Sequence, residues 1–359
     1  MKHKPSMFLA LLFAVALTSC SPPQNQPPAH EEKVLLIYNW EDYMSDEVIA
    51  KFTEETGIRV QQDTFRTADQ AFSTIEEDPS AYDLIIIDDS TTATLIDTKL
   101  IRDFDKSLLP GLEKIDPRYR HLEADPENRY SVPYAWGTSP IAYRKDKIPA
   151  PTSWKDLWNT NYAGHIMMFD DDQEIYAIAL LMLGYDINTS DINELAEATQ
   201  AIIDQVPLVA AHTDFKNILD ALDTGDCWIA PNYSGDIAAL SDENENIDFV
   251  IPQEGAPFWI DNFLMPRDAP HPEHAHAFIA FMIRPEIAAE NGNAIWFPTA
   301  IPEANALLDP EILNHRGLFP PKEILQKCNF FRKVSAAQIS IFNETRAELD
   351  RLQLEKDRS

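Results

Sequence analysis

Short apolar runs alternate with amphipathic segments in the first part of the chain after position 33. The run at 34–38 (VLLIY) has the length and the branched side chains of a buried strand. Ser45 predicts a capped helix over 46–55, which Gly57 ends, and a second strand starts at 58–60. The pattern therefore begins as strand, helix, strand.

The same alternation continues with a helix predicted over 70–77 and the almost continuous apolar strand 82–87 (YDLIII). Strands that alternate with helices in this way are typical of a parallel sheet covered on both faces. Ligands of such sheets bind beyond the carboxyl ends of the strands. One rim of the sheet is therefore predicted to carry the residues that follow the first and third strands: Trp40, Glu41, Tyr43 and Ser90.

The pattern changes in the middle of the chain. Residues 130–145 are predicted to be extended, broken by Pro133 and Gly137, and to cross to a second lobe. That lobe is predicted to contain a helix capped by Ser153, helices at 191–206 and 215–224, and strands at 165–169, 228–230 and 248–251. From Asn262 the chain is expected to return to the first lobe through a helix at 273–283.

These elements predict an α/β protein of two lobes, each with a mostly parallel central sheet flanked by helices and with a ligand cleft between them. The length of 359 residues is sufficient for two cores. We expect the first lobe to combine 34–137 with 262–305, and the second to combine 138–261 with 306–359.

The N-terminal segment has the features of an export signal. A basic stretch at 2–4 precedes an apolar run at 7–17 that is too short to span a bilayer. The motif at 17–20 (LTSC) resembles the bacterial lipobox, in which the cysteine becomes the lipidated first residue. We therefore expect cleavage before Cys20, a tether over 21–33, and a lipid-anchored protein in the bacterial cell envelope. An ordinary N-terminal helix with a chance cysteine is the alternative.

The charge balance limits the class of partner. Asp and Glu total 59 against 29 Lys and Arg, which gives a formal net charge of -30. Such a field repels nucleic acid and anionic lipid and concentrates cations, although solubility alone is a second explanation. The remaining cysteines, Cys227 and Cys328, could pair in an oxidising compartment, but the separation in sequence favours free thiols slightly.

The acidic stretch 169–174 (FDDDQE) has four carboxylates in six residues, and an apolar helix follows it. Four explanations are open: a helix cap, a metal site, a catalytic acid pair and a site for a cationic ligand. The spacing of Asp171 and Glu174 fits a cap. The histidines at 271–276 (HPEHAH) are the best metal candidate, but they start a predicted helix and point in different directions. No phosphate-binding, serine-hydrolase or zinc-protease motif is present, and we assign no catalytic residue, metal or cofactor.

Eight motifs occur in an order and at a spacing that resemble one family: YNWEDY, YDLIII, PYAWGTSPIAY, SWKDLWN, FDDDQE, NYSGD, GAPFWIDN and WFPT. The chain resembles, from about residue 34 to near its C-terminus, the extracytoplasmic spermidine/putrescine-binding proteins of bacterial ABC importers, within the periplasmic binding protein superfamily. The resemblance implies a type II two-lobe fold, a polyamine in the cleft, and delivery to an inner-membrane ABC permease by a monomer. It implies no reaction.

The resemblance also implies a set of ligand-binding residues. It places aromatic walls at Trp40, Tyr43, Tyr233, Trp259 and Phe297, and acidic anchors at Asp171, Glu174, Asp236 and Asp261. Ammonium groups donate hydrogen bonds and accept none, so carboxylates and ring faces suit a polyamine. Taken singly, the aromatic residues would more often pack in a core, and the two later aspartates would more often occupy turns.

Three positions depart from the better-known members of the family. Glu41 replaces a small hydroxyl residue, Ser90 stands where spermidine-preferring members carry an aromatic residue, and Phe331 stands where they carry an amide. The loss of the aromatic residue and of the amide favours a shorter diamine such as putrescine over spermidine, whereas the added carboxylate of Glu41 either faces the cleft or turns away from it. A ligand-dependent sensor, a binder of another cationic solute, and a cleft enzyme that uses the acid pair are the alternatives.

Overall fold

The computed structural model describes residues 33–356. The predicted export signal, Cys20 and the tether before Lys33 lie outside the described residues. The strands are β1 (Val34–Trp40), β2 (Arg59–Phe65), β3 (Leu84–Asp88), β4 (Ile101–Arg102), β5 (Ser131–Thr138), β6 (Ile141–Arg144), β7 (Ile166–Phe169), β8 (Val209–Thr213), β9 (Ile229–Pro231), β10 (Ile247–Val250), β11 (Pro257–Pro266) and β12 (Asn329–Phe330).

Most of the remaining ordered backbone is helical. The α-helices are α1 (Asp46–Thr56), α2 (Ala68–Glu77), α3 (Asp89–Asp97), α4 (Asp172–Leu183), α5 (Ile192–Gln205), α6 (Phe215–Thr224), α7 (Ser234–Glu243), α8 (Pro272–Met282), α9 (Pro285–Ile295), α10 (Pro302–Asn305), α11 (Pro310–Leu313), α12 (Lys322–Leu325) and α13 (Ala336–Lys356). Short 3₁₀ helices occupy Lys106–Leu108, Leu112–Lys114, Pro117–Tyr119, Trp154–Trp158 and Thr160–Tyr162.

The first sheet has the strand order β12-β11-β3-β1-β2, and β4 and β5 also pair with β11. β1 is parallel to both β2 and β3, as the alternation of strands and helices predicted. β11 is antiparallel to β3, β4 and β5 and parallel to β12. This sheet is therefore mixed.

The second sheet has the order β10-β6-β9-β7-β8. β7 is parallel to β8 and β9, whereas β6 is antiparallel to β9 and β10. Two sheets with helices confirm the predicted α/β class, but the expectation of mostly parallel sheets needs correction. Returning strands such as β11 and β6 enter antiparallel, because each comes directly from a crossover and not from a strand–helix–strand unit.

The sheet membership bears on the predicted lobes. The second sheet consists of strands between Ile141 and Val250. All of β11 pairs in the first sheet, and so does β12, which lies in a part of the chain that the sequence prediction placed in the second lobe. The lobe boundaries themselves stay a prediction.

Local signals account for the helix ends. The side chain of Ser45 accepts a hydrogen bond from Val48 N at the start of α1, and Gly57 ends the helix with a φ of 70°. Ser153 caps the helix that was predicted to follow it, in a capping box with Asp156, although the segment Trp154–Trp158 folds as a 3₁₀ helix. The capping residues were thus predicted correctly from the sequence.

The core covers both faces of the first sheet. Side chains of β3 alternate between two clusters, because successive residues of a strand point to opposite faces. The first cluster includes Leu35, Ile37, Leu84 and Ile86, and the second includes Tyr38, Phe65, Ile85 and Ile87. A sheet buried on both faces holds the ends of its strands in fixed positions, and those ends carry the site described below.

Two sequence expectations outside the site can be compared with the structure. Cys227 is buried and Cys328 is partly buried, and both are free thiols. Between residues 33 and 356, no helix is long and apolar enough to cross a membrane.

Replacement of Phe52 by Ala tests the packing of α1 on α8. Phe52 is fully buried, and its ring lies 5.0 Å from that of Phe278 and 5.4 Å from that of Phe281. We expect a loss of about 3–5 kcal/mol in the free energy of unfolding, measured by urea denaturation. The matched control is Ile192→Ala in α5, where a 68% exposed side chain should contribute less than about 0.5 kcal/mol. Equal losses for the two variants would contradict this description of the core.

Candidate functional site

The predicted site residues lie where strands of both sheets end and helices or loops begin. Trp40 is the last residue of β1, and Ser90 lies in the first turn of α3, directly after β3. In the second sheet, β7 leads into the acidic turn before α4, and β9 leads into the loop before α7. Trp259 and Asp261 lie within β11. The fold thus brings together residues that are far apart in sequence. Several follow the carboxyl ends of parallel strands, whereas Asp261 lies inside antiparallel β11, opposite Asp88 at the end of β3.

The acidic turn is both a helix cap and a source of buried charge. Asp171 Oδ1 accepts a hydrogen bond of 2.9 Å from the backbone N–H of Glu174, as the capping pattern predicted. Glu174 is 5% exposed, and its Oε1 accepts a hydrogen bond of 2.7 Å from Ser139 Oγ. Its Oε2 is buried without a hydrogen-bond partner. Glu174 Oε2 therefore remains available to accept a hydrogen bond.

Burial and mutual repulsion shift the titration of this pair. Burial, followed by the charge of Asp171, raises the pKa of Glu174 to about 8. Asp171 keeps accessible surface, yet the surrounding protein atoms withdraw its carboxylate from bulk water and raise its pKa to about 6.

Asp261 forms a second acidic position across from this turn. It is 5% exposed and pairs in register with Asp88 of β3. Burial, followed by the charge of Asp88, raises the pKa of Asp261 to about 8. Tyr43 and Trp40 lie close enough to lower that pKa, although neither makes a hydrogen bond of normal geometry, and the hydroxyl of Tyr43 and Nε1 of Trp40 are both buried without a partner.

The phenol of Tyr233 connects the predicted acids. Its pKa is raised well above the ordinary value, first by burial and then by the charges of four carboxylates: Glu174, Asp171, Asp236 and Asp261. All four acidic anchors predicted from the sequence therefore lie within electrostatic range of one hydroxyl group. This is the clearest evidence that the structure brings the predicted set together.

The remaining acid of this group, Asp236, lies in the first turn of α7. Burial raises its pKa to about 7, the charge of Asp42 adds to the increase, and the charge of Lys216 opposes it. Asp236 is therefore flanked by an acid and by a base that were not part of the predicted site.

Aromatic rings form a continuous wall beside the acids. The ring of Tyr233 lies 5.9 Å from that of Trp259, which lies 5.2 Å from that of Phe297. Phe297 lies 5.5 Å from Tyr43. All three contacts are edge-to-face, a favourable arrangement for aromatic pairs.

Two glycines allow this wall to form. A Cβ atom at Gly137 would lie 2.4 Å from the Trp259 ring, and one at Gly235 would lie 2.5 Å from the Phe297 ring. Any larger residue at these positions would displace the rings, so the absence of a side chain at each position is part of the site.

Sequence reasoning missed two acids that belong to the cluster. Asp89 is 6% exposed with a buried, unpartnered Oδ1, and burial together with the charges of Asp88 and Asp261 raises its pKa well above the ordinary value. The charge of Asp88 also raises the pKa values of Asp171, Glu174 and Asp261. Both residues directly follow the apolar part of β3. Their position at the carboxyl end of a parallel strand is the sequence feature that could have identified them.

Two predicted residues have protein partners instead of free polar groups. Glu41 is paired with Arg66 at 2.7 Å and with Lys216 at 3.3 Å, and the hydrogen bond from Arg66 is the main cause that lowers its pKa. Ser90 Oγ donates a hydrogen bond of 3.1 Å to Gln173 Oε1, which links α3 to α4.

The histidines at 271–276 have separate partners. His271 Nδ1 contacts Asp83, His274 Nδ1 contacts the carbonyl of Val34, and His276 Nε2 accepts a hydrogen bond from Asp105 N. Among the residues that the structure describes, no group of three His, Cys, Asp or Glu side chains could hold a metal ion.

The arrangement has clear chemical consequences. Carboxylates that are withdrawn from water and repel one another favour a guest that carries positive charge and hydrogen-bond donors. Rings beside them offer faces that attract both cations and methylene groups. The site is therefore suited to bind an elongated cation.

A family model, described as bacterial extracellular solute-binding protein, matches residues 47–320 of this chain. The chain belongs to that family. Its relatives include proteins that are named for polyamines. The spermidine/putrescine-binding periplasmic protein of Escherichia coli (strain K12) is 31% identical over 319 residues, which are 88% of this chain and 91% of that protein. The putrescine-binding periplasmic protein SpuD of Pseudomonas aeruginosa (strain UCBPP-PA14) is 32% identical over 343 residues. The match covers 90% of this chain and 93% of that protein.

Solved structures confirm the fold of this solute-binding protein. The spermidine/putrescine ABC transporter substrate-binding protein PotD of Streptococcus pneumoniae, in a complex with calcium and HEPES, superposes with a TM-score of 0.79. Its sequence identity is 30%, and the superposition covers 89% of this chain and 98% of that one. The type II fold and the polyamine-binding group of the superfamily, both predicted from the ordered motifs, are confirmed.

The raised pKa values predict how the stability of the free solute-binding protein depends on pH. Glu174, Asp236 and Asp261 have ordinary pKa values of 4.5, 3.8 and 3.8 and folded values of about 8, 7 and 8. Between these limits the folded state binds more protons than the unfolded state, so stability falls as pH rises. We expect the melting temperature of the ligand-free protein to decrease from pH 5 to pH 8.5 by calorimetry.

A variant isolates the contribution of the cluster from that of the whole negative surface. Asp261→Asn removes one buried charge, so we expect this variant to be about 1–3 kcal/mol more stable than the parent at pH 8.5 and close to it at pH 5. An identical pH slope for the two proteins would show that the buried acids do not cause the decrease.

Proposed function

We propose that this protein captures a polyamine in the cleft between its two lobes and delivers it to an ABC-type permease. The observation that carries the proposal is the convergence of Asp171, Glu174, Asp236 and Asp261 on Tyr233 beside a wall of aromatic rings. The names of the relatives support both parts, since they include polyamine-binding periplasmic proteins and an ABC transporter substrate-binding protein.

The buried polar atoms favour an ammonium guest. Glu174 Oε2 and Asp89 Oδ1 are buried acceptors without partners. Native proteins leave few such groups unpaired, because each costs about 1–3 kcal/mol. A bound ammonium group supplies donors to these oxygens and positive charge to the acids around them, so it relieves both the lost hydrogen bonds and the repulsion.

The rings fit the part of a polyamine between its ammonium groups. Methylene groups pack on the faces of Trp259 and Tyr233, and a cation over such a face gains about 0.5–2 kcal/mol. Acids at separate positions with rings between them select for the distance between positive charges. Calcium or another compact cation would use the acids and leave the rings without a role.

A short diamine such as putrescine is the proposed ligand. Ser90 donates a hydrogen bond directly to Gln173 of the acidic segment, and no aromatic ring stands at position 90 to cover a longer ligand. The relatives include one protein that is named for putrescine and another that is named for both spermidine and putrescine.

Location and mechanism follow the same model. The family is extracellular by description, which supports export, and Cys20 is the proposed lipid anchor. Ligand would bind in an open cleft, and closure of the lobes would exclude water and strengthen each contact between ammonium and carboxylate. We propose that the protein acts as a monomer and uses neither a cofactor nor a metal, since capture and release break no bond.

Removal of single anchors tests the proposed site. In the proposed complex, Asp171→Asn and Asp261→Asn each remove the carboxylate partner of a ligand ammonium group. Truncation of such a pair, once closure has buried it, costs about 2–5 kcal/mol. We therefore expect putrescine affinity to fall at least about 30-fold in each variant, measured by isothermal titration calorimetry.

The matched control is Asp170→Asn, a carboxylate next to Asp171 that is not among the charges that raise the pKa of Tyr233. It should bind putrescine like the parent protein.

A panel of putrescine, cadaverine, spermidine, arginine, choline and calcium defines the ligand class. Normal binding by either anchor variant would remove that residue from the site, and a response to calcium alone would contradict polyamine capture.

Proton release provides a second and independent test. In the free protein Glu174 and Asp261 have pKa values of about 8, and a bound dication would lower both values. Binding at pH 7 should therefore release protons, and affinity should increase as pH rises from 6 to 8.5. Calorimetry in buffers of different ionisation enthalpy measures the number of protons. Binding without proton release would show that the ligand does not contact these acids.

A further inference from the structure

A lysine approaches the site from the second sheet. Lys216 is the second residue of α6, and its Nζ lies 2.5 Å from Asp42 Oδ2 and 3.3 Å from Glu41 Oε1. Both acids follow β1 of the first sheet, so this contact joins elements from the two halves of the cleft. Lys216 was not part of the site predicted from sequence.

The position of Lys216 needs these acids. Helix N-termini carry partial positive charge, and a lysine in the first turn is unfavourable there. Burial alone would lower the pKa of Lys216, but hydrogen bonds and charge interactions with Asp42 and Glu41 outweigh burial and raise it. Asp42 also holds an uncommon backbone conformation, with a φ of 56°. The geometry thus keeps a charged ammonium group at this place.

The charge of Lys216 also reaches the candidate ligand site. It opposes the rise in the pKa of Asp236, which is one of the four acids around Tyr233. The neighbouring residue Phe215 places its ring 5.8 Å from that of Tyr233. Lys216 therefore lies at the Asp236 end of the cluster.

The two ends of the acidic cluster differ in whether lysine or arginine side chains neutralise their carboxylates. At the Asp236 end, Lys216 and Arg66 neutralise Asp42 and Glu41. At the other end, within the described range, no lysine or arginine acts on the pKa of Glu174 or of Asp261. The positions that lack a cation are therefore those of Glu174 and Asp261.

We propose that Lys216 is an internal ammonium group that occupies the cation position beside Asp42 and Asp236, and that it thereby limits the ligand to two ammonium groups. The inference rests on the proposed polyamine function. A third ammonium group of a longer ligand such as spermidine would meet Lys216, and two like charges at this distance repel each other. Lys216 is thus a specificity-determining residue.

The test compares putrescine and spermidine binding in three variants by isothermal titration calorimetry. Lys216→Gln removes the charge, so spermidine affinity should increase relative to putrescine by about tenfold or more, with putrescine affinity changed less than about threefold. Lys216→Arg keeps the charge and should keep the parent's preference. Lys51→Gln is the control, since it removes one charge from an exposed pair with Glu290 on α9 and should change neither ligand.

Each outcome separates the two proposals. An equal loss of affinity for both ligands in Lys216→Gln would show that the residue only holds the closed form together, and an unchanged ratio would show that it does not act on the ligand; either result overturns the inference and leaves polyamine capture intact. A parent protein that binds neither amine would overturn the proposed function, and this inference with it.

Discussion

Repulsion among clustered carboxylates is the constraint on which the candidate site depends. The charge of Asp88 raises the pKa values of Asp89, Asp171, Glu174 and Asp261, and the charge of Asp171 also raises that of Glu174. Such a cluster destabilises a folded protein unless the rest of the fold holds it in place. The fold does so with two sheets whose strand ends face one site, because the first sheet is buried on both faces and cannot move its ends apart without exposing Leu35, Ile37 and their neighbours.

The acidic side chains that cap and brace α4 also keep an oxygen free of protein partners. Asp171 caps α4 through Oδ1, and Glu174 uses Oε1 for Ser139, which leaves its second oxygen unpaired. A cap fixes the carboxylate in direction, and a fixed carboxylate loses little entropy when a guest binds. The helix cap, one of the four explanations that the sequence left open, is therefore compatible with a proposed cation site at the same acidic turn, because the cap uses Asp171 Oδ1 and leaves Glu174 Oε2 unpaired.

Local features of the chain were predictable, whereas features that depend on pairing were not. Strand β1, helix α6 and the caps at Ser45 and Ser153 follow from periodicity and side-chain chemistry within a few residues. The antiparallel orientation of β11 and β6 depends on pairing between segments that are distant in sequence. A hydrophobic pattern predicts that a strand forms but not the direction in which it pairs. The burial of a side chain is equally difficult to predict from the sequence. Asp88 and Asp89 could be placed after β3, but their burial against Asp261 comes from strand pairing.

The missed lysine shows how this limit affects function. A count of acids in the motifs suggests a cleft that is negative throughout, and such a cleft would favour the ligand with the most ammonium groups. The structure places Lys216 and Arg66 against Glu41 and Asp42, so the additional carboxylates at that end are matched by cations of the chain itself. What a ligand encounters is the charge left after internal pairing. That remaining charge lies around Tyr233, Glu174 and Asp261. In the proposed function, the length of this region, more than the total acidity, selects the amine.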